Sequence, residues 1–205
     1  MSKWEPKHAL LVRDRCQHLY ESCYAFMAVI NVAEKFHGEM AARGPLPDEM
    51  TRPVYRKRGD AHVYLLPHYL KQAFDSSQFV PQVQHAWLSM ALIVAGDWLE
   101  TYNYFNRAPQ LEVIYHLRNA YAHENKFHFT KKCRQRLIDY PATTIGLGYD
   151  SLTQVEISAQ LDGSSPSDLL APGDVIDVLI IAVLYLTQLA SGAPPLPYPR
   201  STSAI

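Results

Sequence analysis

The sequence predicts an all-α fold, a bundle of four to five helices with a small β-hairpin inserted before the last one. Three observations carry this. Apolar residues recur at helical spacing over long stretches, prolines and glycines gather mostly at the joints, and one glycine-rich, β-branched segment near residues 144–161 breaks the helical pattern.

The first helix is expected from about His8 to Ala42. Leu11, Leu19, Tyr20, Phe26, Met27, Ile30 and Ala33 recur near helical spacing, and Gly44-Pro45 stops the run. Leu46 to Asp60 reads as a loop, with prolines and the basic cluster Arg52, Arg56, Lys57 and Arg58. A second helix covers roughly Ala61 to Phe74, with Pro67 kinking or breaking it. Pro81 opens a third, and from Gln82 to Phe105 the residues Val83, Trp87, Met90, Ala91, Val94 and Trp98 form one stripe. A fourth begins near Pro109. The alternating stretch Val155-Glu156-Ile157-Ser158-Ala159 marks the hairpin, and Asp162 to Pro166 a loop. Pro172-Gly173-Asp174 then launches the last helix, with Asp174 favoured at its positive end. Residues 193–205 are rich in proline and serine and read as a flexible tail. With no repeat and no evident linker, 1–205 is expected to be a single domain with its core within about 8–190.

Composition narrows the class. A hydrophobic fraction of 48% is that of a packed globular protein, and a net charge of −1 excludes a basic nucleic-acid coat while permitting a local basic site. Val175 to Ala190 is nearly all apolar, yet shorter than the roughly 20 residues a bilayer needs, and it carries Asp177. It is expected as the central bundle helix or part of a dimer interface, with no membrane partner. The N-terminus has no apolar run resembling a secretory signal. Cys16, Cys23 and Cys133 are an odd number, and the first two are about 10 Å of helical rise apart, so reduced thiols in a cytoplasmic protein are expected. The histidines show no metal-ligand spacing, and neither a phosphate-binding glycine loop nor a nucleophile elbow is present, so no metal or cofactor is expected.

One short run carries a chemical signal: Arg118-Asn119-Ala120-Tyr121-Ala122-His123. On a helical wheel Ile114, Leu117 and Tyr121 face the core. Asn119 and His123 fall on the opposite side, His116 and Glu112 beside them, and Arg118 lies at the edge of the apolar arc. The expected result is an outward polar strip of His116, Asn119 and His123 flanked by Arg118. Histidine moves protons near neutrality, and arginine clamps phosphate oxygens while staying charged. Together they suffice to activate a ribose 2′-hydroxyl and steady the phosphorus it attacks, without a metal. Positive charge follows directly, at Lys126, Lys131, Lys132, Arg134 and Arg136, where a phosphate backbone would be attracted.

The run His116 to His123 resembles the R-x4-6-H signature of the HEPN superfamily, in which a polar residue, often Asn, follows the arginine. Helices preceding the motif and an apolar helix after a small β insertion are similar to bacterial HEPN families of mobile elements and defence loci. The resemblance implies a HEPN-like bundle that forms homodimers with two motifs at a cleft, and a metal-independent endoribonuclease acting as a toxin or defence effector. It implies that Arg118 stabilises the scissile phosphate, that His123 is general base or acid, and that Asn119 orients substrate or His123. His116 is a possible auxiliary group, and Lys126, Lys131, Lys132 and Arg134 are the expected RNA contacts. In the toxin branch paired with nucleotidyltransferase antitoxins, a tyrosine follows the motif histidine by two positions. Here that position is Asn125, so no antitoxin is assigned. The alternative reading is a catalytically inactive HEPN-like module that binds RNA or protein. A purely structural helical protein would instead tie Arg118 or His123 into a core salt bridge.

Overall fold

The computed structural model describes residues 6–43, 51–105, 108–148 and 150–192. Its described residues are mostly helical, with seven helices and two small two-stranded antiparallel sheets. The chain gathers into two compact units, Cys23–His85 on one hand and Met1–Ser22 with Ala86–Ile205 on the other. Their boundaries fall inside helices α1 (Pro6–Arg43) and α3 (Phe79–Thr101), which is why no proline- or glycine-rich linker announces them.

In the larger unit the core is built around α4 (Pro109–Ala122) and α7 (Pro172–Ala190). Leu111, Val113, Ile114 and Leu117 of α4 are fully buried, as are Leu179, Ile181, Ala182, Leu186 and Leu189 of α7. Leu92, Ala95 and Leu99 of α3 and Ala9, Val12 and Cys16 of α1 are buried with them. Each fully buried aliphatic side chain contributes about 1.5–3 kcal/mol relative to exposure, so these helices dominate the stability of the unit. The last helix starts as expected: Pro172 fills its first turn and the Asp174 carboxylate accepts the Ala171 N–H at 2.7 Å. By length and composition alone α7 could cross a membrane, but 56% of its apolar window is buried against protein. Cys16 is fully buried, and burial pushes its thiol up to about 12.

Several elements differ from expectation. The segment read as a loop running into a helix at Ala61 is a β-hairpin, β1 (Thr51–Tyr55) paired with β2 (Ala61–Leu65). Gly59, at φ 94°, makes the turn, and the Arg56 N–H donates to the Asp60 carbonyl at 2.7 Å. Proline has no N–H, so Pro53 fits opposite Val63 only at a site where no ladder bond is made. The second helix, α2 (Leu66–Asp75), begins only after the hairpin, with Pro67 in its first turn rather than at a kink. Helix α3 begins at Phe79, two residues before Pro81, and ends at Thr101. A helix absent from the expected set, α5 (Lys131–Asp139), is capped by Thr130, whose hydroxyl accepts the Cys133 N–H. It has no buried residue and is held by arginine contacts instead.

The expected second hairpin exists in reduced form. β3 (Ala142–Thr143) pairs with β4 (Glu156–Ile157), and Thr144 ties the two together through its hydroxyl and the Val155 backbone. The stretch read as hairpin ends in a single 3-10 turn (Ala159–Leu161), and the loop expected from Asp162 leads directly into the short α6 (Pro166–Leu169), capped by Ser165. The expected stop at Gly44-Pro45 and the tail from residue 193 lie outside the described residues.

Candidate functional site at the end of helix α4

Arg118 lies in the last two turns of α4 and lays its side chain across α3. The crossing depends on Gly96: a Cβ there would stand 2.6 Å from Arg118 Cγ and 2.8 Å from its Cβ. Beyond that glycine the guanidinium meets Asp97, whose Oδ1 accepts from Nε at 3.0 Å and from Nη2 at 2.6 Å. Glu100 Oε2 lies 3.7 Å from Nη2, and Nη1 donates to Asn119 Oδ1 at 3.0 Å. Three of the five guanidinium N–H groups are thereby engaged. The remaining two, one on each terminal nitrogen, have no hydrogen-bond partner among the described residues, and the side chain keeps 27% of its surface exposed. Such a fork can take two oxygens of a phosphate.

His123 is not inside the helix but is its C-terminal cap, at φ −121° and ψ 86°. Its N–H donates to the Asn119 carbonyl at 3.1 Å and to that of Ala120 at 3.3 Å, so it sits one turn beyond Asn119 with an exposed side chain. The chain then reverses through two left-handed residues, Glu124 and Asn125, both at φ 56°. Asparagine tolerates this geometry, whereas for glutamate it costs about 1–2 kcal/mol. The reversal is secured by the Lys126 N–H, which returns to the Ala120 carbonyl at 3.1 Å, and by Asn125 Nδ2 donating to Ser165 Oγ at 3.1 Å. Phe127 then pairs with Ser164 and Gly163 through its backbone, anchoring the motif's exit against the loop before α6.

The outward polar strip forms only in part. Arg118, Asn119 and His123 reach the surface, but His116 is 3% exposed and Glu112 fully buried. The wheel assumed one wet face along the whole helix, whereas α4 packs against α7, α6, β3 and β4 and is enclosed until its last turns. His116 lies edge-on against Tyr115 and Phe129, and its Nε2 has no hydrogen-bond partner among the described residues. Burial, reinforced by the Arg136 charge, holds its pKa down to about 4. It belongs to the core and cannot serve as an auxiliary group on an RNA. Glu112 is paired in two-pronged fashion by Arg136 at 2.6 and 2.8 Å, and the Arg136 guanidinium stacks 3.8 Å above the Tyr115 ring.

The basic residues divide likewise. Lys126, Lys131 and Lys132 are exposed. Arg134 is engaged, donating to the Phe129 carbonyl at 3.0 Å and to Asp162 at 2.6 Å, and Arg136 is spent on Glu112. An open groove of about 430 Å³ runs between Tyr115 and Tyr140 and is lined by Lys132 and Arg136. Arg118, Asn119 and His123 do not line it. Among the described residues no group of three or more His, Cys, Asp or Glu side chains is placed to hold a metal ion.

Gly96, Asp97 and Glu100 were not expected at the site. The only hint was a glycine beside an aspartate within an otherwise apolar helical stretch, which signals a close approach by something. No family model matches this chain, and comparison with the curated proteins and with the solved structures finds no match either.

Proposed function

We propose that the protein is a HEPN-like, metal-independent endoribonuclease that uses Arg118, Asn119 and His123. The observation that carries the reading is the state of Arg118. Its stem rests on Gly96, one side of its fork is fixed by Asp97 and Asn119, and the two remaining N–H groups are left for a ligand. A cation fixed beforehand in this way stabilises developing phosphate charge without reorganising. His123, exposed five residues on, takes the proton of the ribose 2′-hydroxyl or supplies one to the departing 5′-oxygen. The 2′-oxygen attacks phosphorus, the bond to the 5′-oxygen breaks, and a 2′,3′-cyclic phosphate and a 5′-hydroxyl remain. Lys126, Lys131 and Lys132 attract the backbone. In the same proposal the chain acts as a homodimer in the cytoplasm, two motifs facing one cleft, as a toxin or defence effector.

A second reading is favoured by the same contacts. Arg118 already has a carboxylate partner in Asp97 and a second carboxylate in Glu100 nearby, as a binding module that no longer cuts would tolerate. The test is incubation of wild type and His123→Ala with mixed RNA in excess EDTA, followed by analysis of the fragment ends. Cleavage by wild type with cyclic phosphate ends, lowered about 10²- to 10⁴-fold in the variant, supports the enzyme. No cleavage by a folded wild type moves the assignment to the binding module.

A further inference from the structure

The hairpin β1–β2 has no place in the reading above, yet it is exposed and strongly charged. Residues 51–65 hold Arg52, Arg56, Lys57 and Arg58 against the single carboxylate of Asp60, a net of +3 on a chain whose total is −1. Every residue from Arg52 to Asp60 is exposed. The turn is ordered by its own charges. Asp60 accepts from Arg56 Nη1 at 2.7 Å and from Arg58 Nε and Nη2 at 2.6 and 2.9 Å, so both guanidiniums are held at the tip with Lys57 between them.

The register sorts the remaining side chains by face. Pro53 opposite Val63, Tyr55 opposite Ala61, and Leu65 share one side of the ribbon, while Arg52, Val54, His62 and Tyr64 share the other. The first face is apolar and open: Tyr55 is 75% exposed, Val63 56% and Leu65 48%. Among the described side chains of its own unit only Cys23 is buried, so the hairpin adds these residues to no buried core there. A flat apolar face with an exposed aromatic ring, rimmed by a cationic turn, has a ligand of matching chemistry. Unpaired bases lie on the face while their phosphates meet the arginines and the lysine. A duplex offers the phosphates but keeps its base faces stacked inside, so it can satisfy only the rim.

We infer that the β1–β2 hairpin is a docking surface for single-stranded RNA, with Tyr55 as a stacking platform and Arg56, Lys57 and Arg58 as the phosphate clamp. It shares with the proposed function only the class of ligand. Binding is read by fluorescence anisotropy of a labelled single-stranded oligouridine, in EDTA, with full-length protein carrying His123→Ala so that nothing is cut during titration. Neutralising the tip with Arg56→Gln/Lys57→Gln/Arg58→Gln should weaken binding at least about tenfold at 0.15 M salt. It should also flatten the log–log salt dependence by about 2, at roughly 0.7 per lost phosphate contact. Tyr55→Ala should cost about five- to 150-fold, and Tyr55→Phe, which keeps the ring and the fold, should bind as the parent does. A duplex of the same length should bind more weakly and ignore Tyr55→Ala.

The inference is overturned if the oligouridine does not bind, or if its affinity and salt slope are unchanged by the tip variant. It is equally overturned if the variants abolish binding to phosphatidylserine vesicles while RNA binding stays intact. RNA binding that depends on the hairpin, together with no cleavage by wild type, sinks the proposed enzyme and leaves this surface standing. Cleavage with hairpin-independent binding does the reverse.

Discussion

Replacing Gly96 by alanine adds one carbon at the place where α3 and Arg118 meet. Inside a helix that change ordinarily stabilises by about 1 kcal/mol, because alanine has less backbone entropy to lose. Here the new Cβ would stand 2.6 Å from Arg118 Cγ and 2.8 Å from Arg118 Cβ, closer than van der Waals contact allows. Arg118 Cβ belongs to α4 and moves only with the helix, so the strain is not removed by a rotamer change. Overpacking of this kind costs about 1–3 kcal/mol. Displacing the guanidinium also loosens its ion pair with Asp97, a half-exposed partner, which is worth no more than about 1 kcal/mol. Set against the helical gain, the net is a destabilisation of about 1–2 kcal/mol, or a Tm lowered by about 2–8 °C in a chain of this size. Thermal and urea melts followed by circular dichroism would measure it. In an Arg118→Ala background the closer of the two clashes is gone, and the cost of Gly96→Ala should fall by about 1 kcal/mol, a coupling that only direct contact produces. A Gly96→Ala protein melting above wild type, or an equal cost in both backgrounds, would refute the described seat for Arg118.

Three further outcomes are expected. His116 is held neutral in the folded protein, with a pKa near 4 against an ordinary 6.5, so the unfolded chain binds the extra proton between those values. Its contribution is complete above pH 6.5 and falls as the pH drops towards 4, by at most about 1.4 kcal/mol per pH unit. Urea melts across that range should show the loss, and His116→Phe should flatten it; an unchanged acid slope in the variant refutes the assignment. Arg136→Ala leaves the fully buried Glu112 carboxylate without its cation and should cost about 3–5 kcal/mol at neutral pH, whereas Glu112→Gln/Arg136→Met should recover most of it. His123→Ala, at an exposed cap, should shift stability by no more than about 0.5 kcal/mol, so any loss of cleavage it causes cannot be ascribed to unfolding.

Legibility in the sequence followed the physics of each element. Helix α1 announces itself by apolar residues at helical spacing, α4 by Pro109 at its start, and α7 by a nearly continuous apolar run behind Pro172. The hairpin β1–β2 was hidden because its strands expose rather than bury their apolar residues, and because Pro53 and the cations of the turn are the usual marks of a loop. Helix α5 was invisible for a related reason: with no buried residue it has no core-facing stripe, and its hold on the protein comes from Arg134 and Arg136. At the site, the chemistry of Arg118, Asn119 and His123 could be named from their types and spacing. What they touch could not. Asp97 lies 21 positions before Arg118, and only packing brings the two together. His116 was misplaced because a wheel records direction around one helix and says nothing of how many neighbours surround it.

The three free thiols form a graded set of chemical clocks. Cys133 on α5 is partly accessible, Cys23 is 3% exposed with its pKa raised by burial, and Cys16 is sealed, with its thiol near 12. Alkylation proceeds through the thiolate, so under native conditions each thiol is modified at a rate set by how often its surroundings open. Cys133 reports on its immediate environment, and Cys16 reports on the opening of the packed helices that enclose it. The wild-type chain therefore carries its own site-resolved record of breathing, readable by timed labelling and mass spectrometry without any introduced probe.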